Sequence, residues 1–152
     1  MITSKKTAKD SLFVYCDGGA RGNPGPAGAG FLVKDKNNKI LVEKGVFLGR
    51  ATNNVAEYRS VIEALKWLVS VNDKMLSSIG EIKVYLDSQL VVNQLNGIYK
   101  IKNANLRLLI IKVKALENQI NPGILYFHIP REKNSEADFL VNKALDHASK
   151  IR

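Results

Sequence analysis

Four acids stand where a carboxylate is costly to keep. Asp17 follows the apolar run Leu12-Phe13-Val14-Tyr15-Cys16 and precedes two glycines. Leu12, Val14 and Cys16 alternate with Phe13 and Tyr15, so both faces are apolar. The run reads as a central β-strand over 11–17, with Asp17 at its end. Asp87 closes a second run, Ile82-Lys83-Val84-Tyr85-Leu86, in the same way. Glu57 and Asp138 fall in helical patterns instead. Glu57, Val61, Ala64 and Leu68 are spaced i, i+4, i+7, i+11, and Asp138, Val141, Leu145 and Ala148 are spaced i, i+3, i+7, i+10. Each spacing puts its acid on an inward stripe near the first turn of a helix. Taken singly, Asp17 reads as an Asp-Gly turn and Asp87 as a helix N-cap. If the two strands are neighbours, all four carboxylates meet at one edge of a sheet. Clustered carboxylates raise one another's pKa and cannot all ionise without compensation. Hard divalent cations compensate such clusters, and an oxygen-only donor set selects Mg²⁺ or Mn²⁺ over zinc.

The elements that must position these acids follow in order along the chain. Residues 1–10 are polar, rich in lysine and without periodicity, which predicts a loose tail, with one domain over 11–152. The glycine-rich stretch 18–28 matches neither G-x-G-x-x-G nor a P-loop, and no helical pattern follows it. A second strand is expected at 29–33 and a third at 40–48, with Asp35-Lys36-Asn37-Asn38 turning between them. At Arg50-Ala51-Thr52-Asn53-Asn54-Val55-Ala56-Glu57 the period changes to 3.6, with cap residues at Thr52 to Asn54 and a helix to about Val71. A short helix opens at Ser88-Gln89 after the fourth strand, and Asn96-Gly97 closes it. A further helix spans about 103–119, a fifth strand 124–129, and a last helix runs from Asn134-Ser135 towards Ser149. The pattern predicts an α/β fold: a five-stranded mixed sheet, three antiparallel strands then two parallel, with helices on both faces.

Composition narrows the class of partner. The chain has 152 residues, 45% hydrophobic and 24% charged, enough for one proper core. Lys and Arg number 23 against 14 acids, a net charge of +9 that favours a polyanion, nucleic acid first. No apolar run is long enough to cross a bilayer, so no membrane partner is expected. One cysteine, Cys16, excludes an internal disulfide and any cysteine metal cage, and a reducing, cytoplasmic setting is expected.

The stretches Tyr15-Cys16-Asp17-Gly18-Gly19, Thr52-Asn53-Asn54-Val55-Ala56-Glu57, Asp87-Ser88-Gln89 and Asn134-Ser135-Glu136-Ala137-Asp138 stand in this order at these separations. In that combination the chain closely resembles the type 1 ribonuclease H family, from Ser11 to about Ser149. The resemblance implies hydrolysis of the RNA strand of an RNA–DNA hybrid, leaving 5′-phosphate and 3′-hydroxyl ends. It assigns the metal-binding carboxylates to Asp17, Glu57, Asp87 and Asp138, with two Mg²⁺ per site and Mn²⁺ as a substitute. Asp17 would bridge both metals, Glu57 and Asp87 would complete one site, and Asp138 the other. Asn23, Asn53 and Gln89 match or adjoin positions that read the hybrid's minor groove, where the 2′-hydroxyl distinguishes RNA. Arg50, Thr52 and Asn103 match a pocket that grips a DNA-strand phosphate. A monomer is expected.

The chain departs from the family pattern in three places. Only Gly97-Ile98-Tyr99-Lys100-Ile101-Lys102 occupies the site of the basic helical protrusion some members carry. The segment from Arg131 to Ala137 has no histidine, where many members carry one on a mobile loop. No separate hybrid-binding domain precedes the motifs, so low processivity is expected. Of the two histidines, His128 is expected to be packed or hydrogen-bonded within the fifth strand and His147 to sit far along the last helix. Neither is expected to be catalytic. The competing readings are a non-catalytic hybrid- or double-strand-binding module, or a structure-specific nuclease, on the same fold.

Overall fold

The structure is a computed structural model, which describes residues 9–71 and 73–151. Residues 1–8 of the expected tail lie outside the described residues; Asp10 already belongs to the sheet, pairing with Ile79. In chain order the elements are β1 (Asp10–Ala20), β2 (Gly25–Lys34), β3 (Ile40–Ala51), α1 (Asn53–Ser70), α2 (Asp73–Leu76), β4 (Ile79–Leu86), α3 (Gln89–Leu95), α4 (Ala104–Glu117), β5 (Ile124–His128) and α5 (Ser135–Ile151). A single 3-10 turn, Arg131–Lys133, leads into α5. The sheet order is β3-β2-β1-β4-β5. β1 and β3 pair antiparallel with β2, and β4 pairs parallel with both β1 and β5, as the sequence pattern predicts.

β1 is central because its alternation serves two layers. Leu12, Val14 and Cys16 are buried with Tyr58, Val61, Ile62 and Leu65 of α1, in a core that also takes Val91, Leu95 and Val113 from α3 and α4. Each such apolar side chain contributes roughly 1.5–3 kcal/mol on burial. Tyr15 faces the other way, against Leu32, Ala137 and Leu140 beneath α5. α5 can lie close because Gly30 and Gly45 are partners across β2 and β3. A Cβ on Gly45 would meet the Leu140 carbonyl oxygen at 2.4 Å. Beyond the edge of α5 the same sheet face carries stacked rings. Tyr85 lies 5.1 Å from Tyr15 and 5.7 Å from Phe127, centroid to centroid.

Three strand readings need correction. β1 does not end at Asp17 but runs on to Ala20, with Asp17 opposite Gly30 and Ala20 opposite Ala27. β2 accordingly starts at Gly25 rather than at 29, and only residues 21–24 form the turn. Glycine and alanine carry no side-chain pattern that marks a strand, yet their backbones complete the ladder. β3 likewise runs on to Ala51 rather than ending at 48, while His128 closes β5 paired with Leu86 in the sheet, as expected, with its side chain exposed. The short α2 and the 3-10 turn also carry no signal in the hydrophobic period.

Candidate active site

Parallel pairing of β1 with β4 brings the first two acids together. Tyr15 is opposite Tyr85, so two residues further on Asp17 and Asp87 emerge at the same end of adjacent strands. Glu57 comes down from the start of α1, where its Oε1 accepts a hydrogen bond from the Gly18 backbone N–H at 3.0 Å. Carboxylate oxygens of Asp17, Glu57 and Asp87 lie within 4.8 Å of one another. Asp17 and Glu57 are buried, at 7% and 5% exposure. Asp138, in the first turn of α5, shares their cleft of about 410 Å³ without joining that tight group.

Asp138 is exposed, contrary to the inward stripe expected for it. The buried stripe of α5 is Ala137, Leu140, Val141 and Leu145. At 100° per residue Asp138 is rotated off that stripe towards the cleft, which leaves its carboxylate accessible.

Burial first, and then the negative charges of Asp87 and Asp138, push the Asp17 carboxyl up to about 7. Hydrogen bonding with Glu57 and the Gly18 N–H works against that rise. Burial and the neighbouring Asp17 also hold the Glu57 carboxyl well above the usual carboxylate range. Burial likewise pushes the Cys16 thiol up, so Cys16 stays a neutral core residue. A cation fits the site on the evidence of its donors. Glu57 Oε2 is buried with no hydrogen-bond partner, and every nearby donor is an oxygen.

The other predicted site residues divide. Asn23 and Asn53 are tied together: Asn23 Oδ1 accepts from Asn53 N at 2.9 Å, and Asn53 Oδ1 accepts from Ala20 N at 2.8 Å. Their oxygens thus fasten the β1–β2 turn to α1, and neither amide NH₂ has a protein partner among the described residues. Thr52 is the N-cap of α1 and accepts from Val55 N, and Asn103 is the N-cap of α4. Gln89 is exposed at the start of α3. Arg50 lines a separate, apolar cleft of about 530 Å³ with Pro26, Phe47 and the α5 residues Ala148 and Ile151. Of these six, only Asn53 lines the acidic cleft.

Some residues at the site had no assigned role from sequence. Asn134, buried at 1% exposure, donates from Nδ2 to the Cys16 carbonyl at 2.8 Å and to Asp87 Oδ2 at 3.4 Å. It ties Asp87 to β1, and its place at the head of the Asn134-to-Asp138 motif was the available signal. Arg21 and Arg131 also line the cleft. A charge on a glycine-rich turn or a lysine-rich segment does not distinguish itself from ordinary surface charge.

The comparisons bear on this geometry. A family model described as reverse transcriptase-like matches residues 15–144. The ribonuclease H of Pseudomonas entomophila (strain L48) is 31% identical over 150 residues, covering 90% of this chain and 95% of that protein. LC11-RNase H1, isolated from compost by a metagenomic approach and solved in complex with an RNA/DNA hybrid, superposes with a TM-score of 0.85. It shares 43% identity, over 90% of this chain and 98% of that one. This chain belongs to the type 1 ribonuclease H family. The bifunctional protein Rv2228c of Mycobacterium tuberculosis is 41% identical over 139 residues, 91% of this chain and 36% of that protein. The chain therefore spans about a third of the length of the mycobacterial relatives it matches. In the histidine-free segment before α5, this member of the ribonuclease H family carries the 3-10 turn Arg131–Lys133, with Arg131 at the cleft.

Proposed function

We propose that this chain hydrolyses the RNA strand of RNA–DNA hybrids, leaving 5′-phosphate and 3′-hydroxyl ends. The observation that carries the reading is the group of Asp17, Glu57 and Asp87 oxygens within 4.8 Å, with Glu57 Oε2 buried and unpartnered, on the floor of an open cleft. The hybrid bound by LC11-RNase H1 supports the choice of substrate. Asp17, Glu57 and Asp87 would hold one cation, and Asp17 with Asp138 would hold a second. Two bound Mg²⁺, or Mn²⁺ in their place, supply a lowered pKa for the attacking water and charge stabilisation of the leaving oxygen. The protein's part is to keep the acids in register: β1 and β4 set Asp17 beside Asp87, Gly18 N–H orients Glu57, and Asn134 orients Asp87. The free amide donors of Asn23 and Asn53 suit minor-groove reading, where hydrogen bonds to the 2′-hydroxyl distinguish RNA from DNA. Gln89 and Asn103 are proposed contacts of the same duplex. A monomer acting in the cytoplasm completes the reading. Among the described residues no helix is long and apolar enough to cross a membrane.

The deciding experiment offers matched RNA–DNA hybrid, double-stranded RNA and double-stranded DNA with Mg²⁺. Metal-dependent cleavage of the RNA in the hybrid is expected, with double-stranded DNA left intact. Hybrid binding without cleavage would favour a non-catalytic module, and cleavage of the DNA duplex a different nuclease. Neither histidine is expected to matter. His128 and His147 are exposed, and His147 lies nine residues beyond Asp138, roughly 13 Å along the helix axis. Single-turnover rates of His128→Gln and His147→Gln between pH 5.5 and 9 should match the parent. A hundredfold loss with hybrid affinity preserved would overturn that assignment.

Arg50 and Thr52, two residues apart where β3 passes into α1, are proposed to face a DNA-strand phosphate. Arg50→Ala should lower the slope of log K against log salt by about 0.9 if one duplex phosphate is neutralised. An unchanged slope would put Arg50 outside the contact surface.

A further inference from the structure

We infer that Arg21 is a phosphate-gripping residue of the substrate cleft, held ready by α5 in the absence of nucleic acid. This rests on the hybrid-cleaving reading above and adds a contact to it. Arg21 lies in the tight turn between β1 and β2, where its backbone is well fastened. Its N–H donates to the Pro26 carbonyl at 2.8 Å, and Ala20 and Asn23 on either side are bonded to Asn53. The side chain is not so confined. Nη2 is shared between Asn142 Oδ1 at 3.2 Å and Asp146 Oδ1 at 2.8 Å, while Nε and Nη1 have no protein partner among the described residues. Arg21 and Asp146 side chains are 45% and 61% exposed. An ion pair so open to water is too weak to serve as a latch for α5. It does hold a guanidinium at the mouth of a cleft whose floor carries four acids.

A polyanion entering that cleft meets carboxylate repulsion, and Arg21 and Arg131 are its lining cations among the described residues. A guanidinium gives a phosphate two parallel, charge-assisted hydrogen bonds, stronger than the solvated pair it leaves. The position says which phosphate. Asn142 and Asp146 lie four and eight residues beyond Asp138 on α5, roughly 6 and 12 Å along the axis. Arg21 therefore takes not the reacting phosphate but a neighbouring one further along the strand. Asp146 competes with that phosphate for Arg21, so the ion pair formed in the free protein weakens nucleic-acid binding.

This competition gives a test with opposite signs. Binding of an RNA–DNA hybrid in Mg²⁺ would be measured across a salt series on the Asp17→Asn protein, to prevent cleavage. Arg21→Ala, Arg21→Lys and Asp146→Asn would be added singly, and Arg21→Ala with Asp146→Asn together. Arg21→Ala should weaken binding about fivefold to tenfold and lower the salt slope by about 0.9, while Arg21→Lys keeps the slope. Asp146→Asn should tighten binding, and by more in the presence of Arg21 than in the Arg21→Ala background. If Asp146→Asn and Arg21→Ala both weaken binding and both lower the melting temperature, the pair is a structural latch and the proposal is wrong. Equal tightening by Asp146→Asn in both backgrounds would reduce it to a general charge effect and overturn it too. Absence of hybrid binding by the Asp17→Asn parent would instead overturn the substrate reading, and this inference with it.

Discussion

Asp17→Asn should abolish hydrolysis of the hybrid, by at least about a thousandfold, while the protein still folds and binds its substrate. That factor is about 4 kcal/mol of transition-state stabilisation, within the several kcal/mol that metal ions provide to phosphoryl chemistry. The amide keeps the shape of the side chain at the centre of the acidic group but withdraws its charge. Stability should move the other way. The Asp17 carboxyl is raised to about 7 from its ordinary 3.8, chiefly by burial. A raised pKa means that the folded state binds the proton more tightly than the unfolded chain. Its contribution is therefore fully present below about pH 4 and is lost as pH rises through about 7, an effect on the order of a few kcal/mol. Melting temperatures in EDTA from pH 5 to 8 should thus show Asp17→Asn gaining on the parent as pH rises. At about 2–4 °C per kcal/mol for a chain of this size, the gain is several degrees. Measurable turnover by the folded variant, or a variant less stable than the parent at pH 8 without metal, would remove Asp17 from the centre of the site.

Gly18→Ala is expected to be the most disruptive small substitution near the site. A Cβ there would stand 2.2 Å from both the carbonyl carbon and the oxygen of Ala56, and 2.5 Å from Glu57 N. All three are backbone atoms of α1, so no flexible side chain can yield; the helix itself must shift. Overpacking of this kind costs about 3 kcal/mol or more. The shift would also break the Gly18 N–H bond to Glu57 and move that carboxylate relative to Asp17. A displacement of about 1 Å is worth roughly a hundredfold in rate. Gly19→Ala is the natural control, because its Cβ would meet only Asn53 Oδ1, at 3.9 Å. Comparing melting temperature and single-turnover rate for the two variants tests the point. If Gly18→Ala kept both at parental values, the close approach of β1 and α1 would not be what demands glycine there.

Much of this was open to reading from sequence because the relevant signals are local. The alternation through Leu12, Val14 and Cys16 marks a strand, and the change of period at Thr52 marks a helix with its cap. Where local signals fade, the reading shortened the elements. Gly18, Gly19 and Ala20 have little strand propensity, yet pairing with Ala27, Gly28 and Ala29 extends β1 past Asp17. Helical spacing gave α5 its apolar stripe but set Asp138 on it, one residue away from the buried Ala137. Arg21 and Asn134 could not be given roles, because their partners are 121 and 118 residues distant in the chain.

Sequence by itself determined the chemistry available to this protein: four carboxylates at strand and helix beginnings or ends, no His/Cys cluster, and a basic surface suited to a polyanion. Residue type and spacing are enough for that, since an acid closing an apolar run or standing in the first turn of an amphipathic helix is marked by its local pattern alone. The tertiary structure alone decided how the acids meet. The parallel register of β1 and β4 puts Asp17 beside Asp87, and the glycine contact with α1 sets the depth of Glu57. α5 over β1–β3 turns Asp138 into the cleft rather than the core. These are relations between segments up to about 120 residues apart, fixed by packing and hydrogen-bond geometry across the fold, and no local periodicity encodes them.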